Sequence, residues 1–296
     1  MQVDPYALER AERRLGILLI FPTAAVMGVM ILFPFAYAIW LSFFRKSSIV
    51  PGSSFVGFDN YIYLFKRGEF WQSFINGTIW TGISVGVTIA IGVALAVLLH
   101  QNFRGRSIVR GMILFPYMIP LIVATLLWQW MFNDLYGVTN HFLMSIGLIR
   151  TPISWFGNPF YAMVSCILIT IWKFFPFVVI VILARLQTIP EELYEAAKVD
   201  GASAWQRFWT ITLPQLKSVL IIVILLRVLW TYKNFDVIWM LTKGGPLIST
   251  QNLPIYAYKT AIPSMLMGRG AAIAVTIFVP LAVLGFLYLR IVKRKE

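Results

Sequence analysis

Long apolar runs, separated by short charged segments, dominate the pattern of polar and apolar positions along the chain. A helix needs about 20 mostly apolar residues to cross the hydrocarbon core of a bilayer, because it rises about 1.5 Å per residue. Six runs are long enough, although the fourth contains Lys173 and the fifth contains Arg227 and two further charged residues. The pattern therefore predicts an all-α integral membrane protein with transmembrane helices at about residues 15–44, 74–99, 108–132, 160–184, 217–240 and 270–290.

The distribution of positive charge predicts how these helices are oriented. Six spans place both termini on one side of the membrane, and the segments on that side contain 14 Lys or Arg among 65 residues. The opposite segments contain 8 among 85 residues. Because cytoplasmic loops are enriched in Lys and Arg, we expect both termini and the loop 185–217 in the cytoplasm. The first apolar run is too long for a signal-peptide core, so we expect it to remain as an uncleaved anchor.

The predicted spans divide the chain into four parts. We expect an amphipathic N-terminal segment that lies at the inner headgroups, a first span with its external loop, a membrane core and a basic cytoplasmic tail. These parts cover residues 1–14, 15–73, 74–290 and 291–296, and the core contains a cytoplasmic loop at residues 187–214. Prolines inside spans remove a backbone hydrogen bond and can kink the helix. They stand at positions 22, 34, 116, 120, 176 and 280.

Composition agrees with a protein of the bilayer and argues against a nucleic-acid binder. Apolar residues make up 59% of the chain and charged residues 12%, and the mean hydropathy is +0.78. The formal net charge of +13 comes from basic residues that punctuate apolar runs, not from a soluble basic surface. The excess of positive charge therefore indicates membrane topology.

The residue types that carry catalytic chemistry are sparse. One cysteine, Cys166, excludes an intrachain disulfide and a thiolate metal cluster. The two histidines, His100 and His141, do not have the spacing of a ligand set. The phosphate-binding pattern G-x-x-x-x-G-K-[ST] and the hydrolase patterns G-x-S-x-G and H-E-x-x-H are absent. We therefore expect no catalytic residue, no metal site and no ATP hydrolysis by this chain.

The loop 187–214 predicts two short helices. Thr188 and Glu191 have the spacing of a capping box, and Pro190 falls in the first turn, where its missing N–H is not needed. We expect this first helix to end near Val199. Its small apolar ridge fits a groove on another protein, and it fits equally well a helix that rests on lipid. That ridge consists of Ile189, Leu193, Ala196 and Ala197.

Three residues are expected to separate and bound the two loop helices. Gly201 can adopt the left-handed backbone that ends the first helix. Ser203 can cap the second helix, and Pro214 is expected to end it before the membrane.

The same loop contains a sequence signature. From Glu195 to Pro214 the chain reads E-A-A, three residues, G, nine residues, I-x-L-P. This resembles, at every position, the loop of permease subunits of bacterial binding-protein-dependent ABC importers. The longer stretch around it resembles the carbohydrate and glycerol-phosphate subfamily, and in particular the first permease of the maltose-type pair. Further similar stretches lie at residues 33–34, 41–43, 57–61, 235–236 and 241–246.

The resemblance implies a type I importer in the bacterial inner (plasma) membrane. Such an importer moves a sugar, an oligosaccharide or a polyol derivative by alternating access. The implied partners are a second, different permease, two ATP-binding subunits and an external solute-binding protein, all assembled in the lipid bilayer. ATP and Mg are implied in the ATP-binding subunits, with no cofactor bound by this chain. The residues implied to couple the loop to the ATPase are Glu195, Ala196, Ala197, Asp200 and Gly201.

The outer part of the fifth span contains candidate solute-binding side chains. Aromatic rings stack on sugar faces, and polar groups bond sugar hydroxyls. The resemblance implies solute contacts in this part of span five. The candidates are Trp230, Tyr232, Lys233, Asn234 and Asp236, together with Lys173 and Tyr117 from other spans.

The ionisable residues of the spans leave alternatives open. Lys233 either pairs with Asp236, one helical turn away, or meets a charged group of the solute. Lys173 and Arg227 are expected at similar depth, either in a shared cavity or at the interface with the partner permease. The alternative function is an ion-coupled secondary transporter that uses Lys173, Arg227 and Asp236 as a relay. It predicts uptake that collapses with the proton gradient and survives ATP depletion.

Overall fold

The computed structural model describes residues 5–49 and 51–293 of the chain. Within these residues, five helices are long and apolar enough to cross a membrane, or six if one bent pair counts as a single span. The predicted all-α membrane fold is confirmed. The helices are α1 (Pro5–Ser42), α2 (Asp59–Phe65), α3 (Gly68–His100), α4 (Arg106–Met118), α5 (Leu121–Met131), α6 (Val138–Ser145), α7 (Pro159–Leu186), α8 (Glu191–Val199), α9 (Ala204–Arg207), α10 (Leu213–Tyr232), α11 (Asp236–Thr242), α12 (Leu253–Ala261) and α13 (Met267–Lys293).

The helix that forms the first span also includes most of the predicted N-terminal segment, whereas the candidate span itself is Glu12–Ser42. Residues 5–14 belong to the same continuous helix, α1, as the apolar run that follows them. The most apolar window of this helix is not buried within the chain, as suits a helix that faces lipid. Residues 1–4 of the predicted N-terminal segment and 294–296 of the predicted tail lie outside the described residues.

The third predicted span is broken in two. The axes of α4 and α5 differ by 93°, and Ile119, between them, has an extended backbone. This conformation is typical before proline, and the next residue is Pro120. The ammonium of Lys173 in α7 donates to the carbonyl oxygens of Pro116 at 2.8 Å and Tyr117 at 3.1 Å. It also donates to the carbonyl of Ile119, so Lys173 satisfies the acceptors that the break leaves without helical partners.

The fifth span begins and ends earlier than predicted. α9, a π-helical segment (Phe208–Thr212) and α10 follow one another without a break, so the helix runs from Ala204 to Tyr232. Residues 233–235 are not helical. The side-chain oxygen of Asn234 accepts the N–H of Val237 at 3.1 Å, in the first turn of α11. This local bond favours a new helix start over a continuous span to residue 240.

The chain divides into two compact units, one of which combines the described parts of Met1–Lys66 with Ala257–Thr276. In this unit, strands β1 (Phe44–Arg45) and β2 (Ser54–Phe55) pair in antiparallel fashion. The side chain of Asn60 donates to the carbonyls of Ser42 at 2.8 Å and Phe44 at 3.0 Å. These bonds fix α2 against the chain that leaves α1.

The second unit combines Arg67–Tyr256 with the described part of Ile277–Glu296, and it contains both candidate sites. Helices α3 and α7 lie at its centre, where Gly92 permits their close approach. A Cβ at Gly92 would lie 2.6 Å from Cβ of Val178 and would overlap its Cγ1. One buried cluster of this unit contains Trp80, Phe132, Trp155, Cys166, Ile167, Ile169, Ile171, Val237, Ile238, Leu241 and Ile255. The other, called here the loop-side cluster, contains Ala96, Leu99, Val178, Val179, Ile182, Leu183, Leu186, Ile189, Leu216 and Val223.

Candidate functional site

The loop between α7 and α10 is fastened to the spans at both of its ends. Ile189, just before α8, is buried in the loop-side cluster with Leu186 and Leu216. The hydroxyl of Tyr194 in α8 lies 3.1 Å from that of Thr212 in the π-helical segment. The loop helix α8 is therefore held against the ends of two membrane helices.

The side chains of α8 are available for contact. No residue of α8 is buried. Glu195, Ala196 and Asp200 are exposed, and Val199 is 88% exposed. Three of the predicted coupling residues, Glu195, Ala196 and Ala197, therefore lie on α8, and Asp200 and Gly201 follow its end. Among these five, Ala197 is half-buried and the others are exposed.

The C-terminal end of α8 follows the prediction. α8 ends at Val199, and Gly201 has a left-handed backbone with φ +75°. The N–H of Gly201 donates to the carbonyl of Lys198 at 3.0 Å, and the N–H of Ala202 donates to that of Ala197 at 2.9 Å. This pair of bonds is a Schellman motif, and it sets the direction of the chain after the helix.

The predicted capping box at the start of α8 is wrong. α8 begins at Glu191, and its N-cap residue, Pro190, makes no side-chain capping bond. The hydroxyl of Thr188 donates instead to the carbonyl of Arg185 at 2.8 Å. The side chain of Arg185 also donates to this hydroxyl, at 2.9 Å, so Thr188 belongs to the turn that ends α7.

The second loop helix is capped as predicted but does not end as predicted. Ser203 and Gln206 form a reciprocal capping box at 3.3 Å and 2.7 Å, which confirms Ser203 as the cap. Pro214 was expected to end the helix, and this is wrong, because it lies in the first turn of α10. The π-helical segment immediately before it shifts the hydrogen-bond register. The helix therefore continues through a residue that has no N–H.

A cavity of about 240 Å³ lies among α3, α7 and the end of α10, and it is called here the solute cavity. It combines aromatic rings with hydroxyl, amide and cationic groups, the set that binds sugars. Its lining residues are Trp80, Thr170, Phe174, Arg227, Trp230, Thr231, Lys233 and Asn234.

Arg227 is the most buried charged group of the solute cavity, at 1% exposure. Its guanidinium lies over the ring of Phe174, 4.5 Å from the ring centroid. Among the described residues, Nε and Nη2 of Arg227 are buried and have no hydrogen-bond partner. A buried guanidinium with free donors is costly in an apolar setting, so it favours an incoming acceptor.

Three of the seven candidates from the sequence line the solute cavity, namely Trp230, Lys233 and Asn234. The oxygen of the Asn234 side chain is already bonded at the start of α11. The other four candidates, Tyr232, Asp236, Lys173 and Tyr117, do not line the cavity. Lys173 and Arg227 therefore do not share this cavity, because Lys173 is directed to the bend between α4 and α5.

The predicted pairing of Lys233 with Asp236 assumed one continuous helix. The helix ends at Tyr232, and α11 begins at Asp236, so the two side chains are not one helical turn apart. Both are exposed, and no ion pair joins them in the described part of the chain. The expected pair within one helix is therefore not formed.

Sequence reasoning missed the cavity residues that come from other helices. The indole N–H of Trp80 in α3 donates to the hydroxyl of Thr170 in α7 at 3.2 Å. Both residues lie in apolar spans and read as ordinary packing positions. The polar residues spaced along α3 were the sequence signal from which these cavity residues could have been found. Only the packing of α3 against α7 shows which of them line the cavity.

Comparisons with known proteins show the family to which the chain belongs. Residues 82–296 match the family described as the binding-protein-dependent transport system inner membrane component. The trehalose/maltose transport system permease protein MalF of Thermococcus litoralis is 35% identical over 284 residues, covering 96% of this chain and 95% of that one. The sulfoquinovosyl glycerol transport system permease protein SmoG of Agrobacterium fabrum is 36% identical over 291 residues, covering 98% and 94%.

A solved structure shares the fold. It is a bacterial alginate ABC transporter in complex with an alginate pentasaccharide-bound periplasmic protein. One of its chains superposes with a TM-score of 0.81 at 22% identity, covering 95% of each chain.

Proposed function

We propose that this chain, which belongs to the family of binding-protein-dependent transport system inner membrane components, is one subunit of an ATP-driven importer. In this proposal it forms half of the pathway that a sugar takes through the membrane. It is a multi-pass protein of the inner membrane. The observation that supports this most is the loop helix α8, which is exposed but fastened to two spans. A helix held in this way can convert the movement of a bound protein into movement of the membrane helices.

The proposed partners follow from this design. Two ATP-binding subunits bind ATP and Mg, and one of them receives α8. A second, different permease completes the pathway, and an external solute-binding protein delivers the sugar. A periplasmic protein occurs in the alginate transporter that shares the fold. This chain itself makes and breaks no bond.

The proposed coupling surface consists of Glu195, Ala196, Ala197, Asp200 and Gly201. The small side chains allow close approach to a groove on a partner protein. The carboxylates of Glu195 and Asp200 give the surface negative charge. Gly201 fixes the exit of the chain through its left-handed backbone.

Gly201→Glu tests the coupling surface, with Gly105→Glu as the matched control. Both glycines have positive φ, +75° and +87°, and a Cβ would meet nothing within 4 Å at either one. The backbone strain is therefore similar, whereas only Gly201 lies in the loop 187–214, called here the coupling loop. In proteoliposomes with the full complex, Gly201→Glu is expected to lose transport while ATP hydrolysis loses its stimulation by the binding protein. Equal effects of the two substitutions would contradict the assignment.

We further propose that the solute cavity binds a sugar ring. Trp230, which is 40% exposed, provides an aromatic face, and Arg227 and Lys233 provide donors. The two relatives reported above are named for the transport of sugar-containing solutes, trehalose or maltose in one case and sulfoquinovosyl glycerol in the other. Trp230→Leu is expected to weaken the apparent transport affinity about 2- to 13-fold, since one aromatic contact contributes about 0.5–1.5 kcal/mol beyond its area. Trp130→Leu is the control, because Trp130 is 56% exposed in α5 and lies outside both the cavity and the loop. An equal loss in Trp130→Leu would contradict the cavity.

The ion-coupled alternative has little support from the geometry. Its relay needs Lys173, Arg227 and Asp236 within reach of one another. Lys173 is bonded to backbone carbonyls at the bend, Arg227 lines the solute cavity and Asp236 is exposed outside it. These three residues are not gathered into one path.

A further inference from the structure

A second, larger cavity, of about 540 Å³, lies where three membrane helices end, and it is called here the head cavity. His100 is the last residue of α3, Arg106 the first of α4 and Leu186 the last of α7, and all three line it. The ends of transmembrane helices mark the boundary of the hydrocarbon core. The head cavity therefore lies at the level of lipid headgroups.

The head cavity is strongly basic. Four Arg or Lys side chains line it, Arg106, Arg110, Lys198 and Arg207, against one carboxylate, that of Glu191. The three arginines are half-buried. Topology requires basic residues on the cytoplasmic side, but it does not require them to converge on one cavity. Their convergence indicates a site for an anion.

One arginine of the head cavity has a buried donor that lacks a partner among the described residues. Nη2 of Arg110 donates to the carbonyl of Leu99 at 3.0 Å, which holds the side chain in place. Its Nε is buried and has no hydrogen-bond partner among the described residues. A buried donor without a partner is costly, and an anionic oxygen removes that cost.

An apolar cavity of about 260 Å³ adjoins the head cavity, and it is called here the tail cavity. It lies between α4 and α7, and its lining includes Ile113, Leu114, Val179, Ile180 and Leu183. Arg110 and Gln187 line both cavities. The two cavities therefore meet at Arg110, with cationic groups on one side and aliphatic groups on the other.

We propose that these two cavities together bind one anionic phospholipid. The phosphate lies among the arginines of the head cavity, and the beginning of an acyl chain lies in the tail cavity. A free phosphate ester would fill the head cavity alone, so the tail cavity favours the lipid. This proposal requires only that the chain spans a bilayer, and it does not depend on the solute or on the coupling partner.

The bound lipid joins the loop to the membrane. Lys198 belongs to α8 and Arg207 to α9, whereas Arg106 and Arg110 belong to α4. A phosphate shared by these side chains bridges helices that are separate in sequence. The position of α8 therefore depends on the lipid composition around the protein.

Binding is measured on the delipidated full chain in a neutral detergent, by native mass spectrometry and by the shift of the unfolding temperature. The probes are phosphatidylglycerol, phosphatidylcholine and inorganic phosphate. Phosphatidylglycerol is expected to bind at least about tenfold more tightly than phosphatidylcholine, since charge-assisted hydrogen bonds decide the difference. Equal affinity for the two lipids would overturn the proposal.

Two double variants test the head cavity. Arg106→Gln with Arg110→Gln is expected to weaken phosphatidylglycerol binding at least about tenfold. Arg104→Gln with Lys217→Gln removes the same charge from exposed positions outside the cavity, and it is expected to leave binding unchanged. Equal losses in both double variants would indicate diffuse surface charge and overturn the site.

A further variant is expected to strengthen phosphatidylglycerol binding, and it leaves the arginine side chains in place. Glu191→Gln removes the one carboxylate of the head cavity, so phosphatidylglycerol is expected to bind more tightly. Unchanged or weaker binding in Glu191→Gln would contradict the site even if the arginine variant fails to fold.

The tail cavity is tested by filling it. Ile180→Trp places a bulky ring in the tail cavity, and Leu168→Trp is its control on the same helix, since the two residues are 43% and 44% exposed. Only Ile180→Trp is expected to weaken phosphatidylglycerol binding. If Ile180→Trp has no effect and inorganic phosphate binds as tightly as the lipid, the ligand is a free phosphate and the lipid proposal fails.

Discussion

The bend between α4 and α5 depends on one buried charge, and replacing Lys173 by methionine tests this dependence. Methionine has a similar length and no charge, so the space is filled while the bonds to three carbonyls are lost. Lys173 is 5% exposed, so water does not replace those bonds without a rearrangement. The bend is therefore expected to lose its hydrogen bonds to Lys173 of α7.

The expected loss can be bracketed from the number of bonds. Interhelical hydrogen bonds in membranes contribute about 0.6 kcal/mol each on average, so three of them give about 2 kcal/mol. Leaving a buried hydrogen-bond acceptor without a partner costs about 1–3 kcal/mol in proteins generally. Because the substitution also removes the desolvation cost of the buried ammonium, we expect Lys173→Met to lower the free energy of unfolding by about 2–3 kcal/mol.

The measurement is unfolding of the purified chain by titration with a denaturing detergent, followed by circular dichroism. Lys217→Met, at an exposed position in α10, removes the same group and is expected to change stability by less than about 0.5 kcal/mol. A second readout is the apparent transport affinity of the full complex. If Lys173→Met leaves stability unchanged but weakens solute affinity, Lys173 contacts the solute and the structural role is refuted.

Two further predictions concern packing and the loop. Gly92→Leu is expected to destabilise the chain by about 1–3 kcal/mol, since it overpacks the contact with Val178, whereas Gly86→Leu faces open space and should have little effect in the same detergent titration. Similar losses for the two glycines would show that α3 and α7 do not approach at Gly92. Ser203→Ala is expected to lose about 1 kcal/mol of helix capping and to speed hydrogen exchange at the N–H of Gln206, with protection unchanged in α8. Unaltered exchange at that amide would contradict the capping bond.

The spans and the loop could be predicted from sequence because their signals are local. The end of α8 at Val199, the left-handed Gly201 and the cap at Ser203 depend on residues a few positions apart. The start of α8 was predicted wrongly because the prediction considered only local spacing. Thr188 has the right spacing for a cap, but the side chain of Arg185 and the end of α7 compete for its hydroxyl.

The bend and the solute cavity depend on contacts between distant residues. Several prolines fall within spans, and only Pro120 coincides with a break of the helix. This break differs from the other prolines because of Lys173, more than fifty residues later in the chain. The ammonium of Lys173 donates to the carbonyls that have no helical partner at the break. In the same way, Trp80 and Thr170 meet the end of α10 only because α3 packs on α7. Sequence spacing within one span does not contain this information.

The most direct test of the central claim is cysteine crosslinking from α8 to an ATP-binding subunit. Cys166, the one native cysteine, is buried, so a single introduced cysteine can be labelled selectively. Val199→Cys in the coupling loop and Leu247→Cys between α11 and α12 are matched, at 88% and 90% exposure. In native membranes, a short bifunctional reagent is expected to join Val199→Cys, but not Leu247→Cys, to a subunit that binds ATP. If neither position crosslinks to such a subunit, or if both do so equally, α8 is not the coupling helix and the account fails.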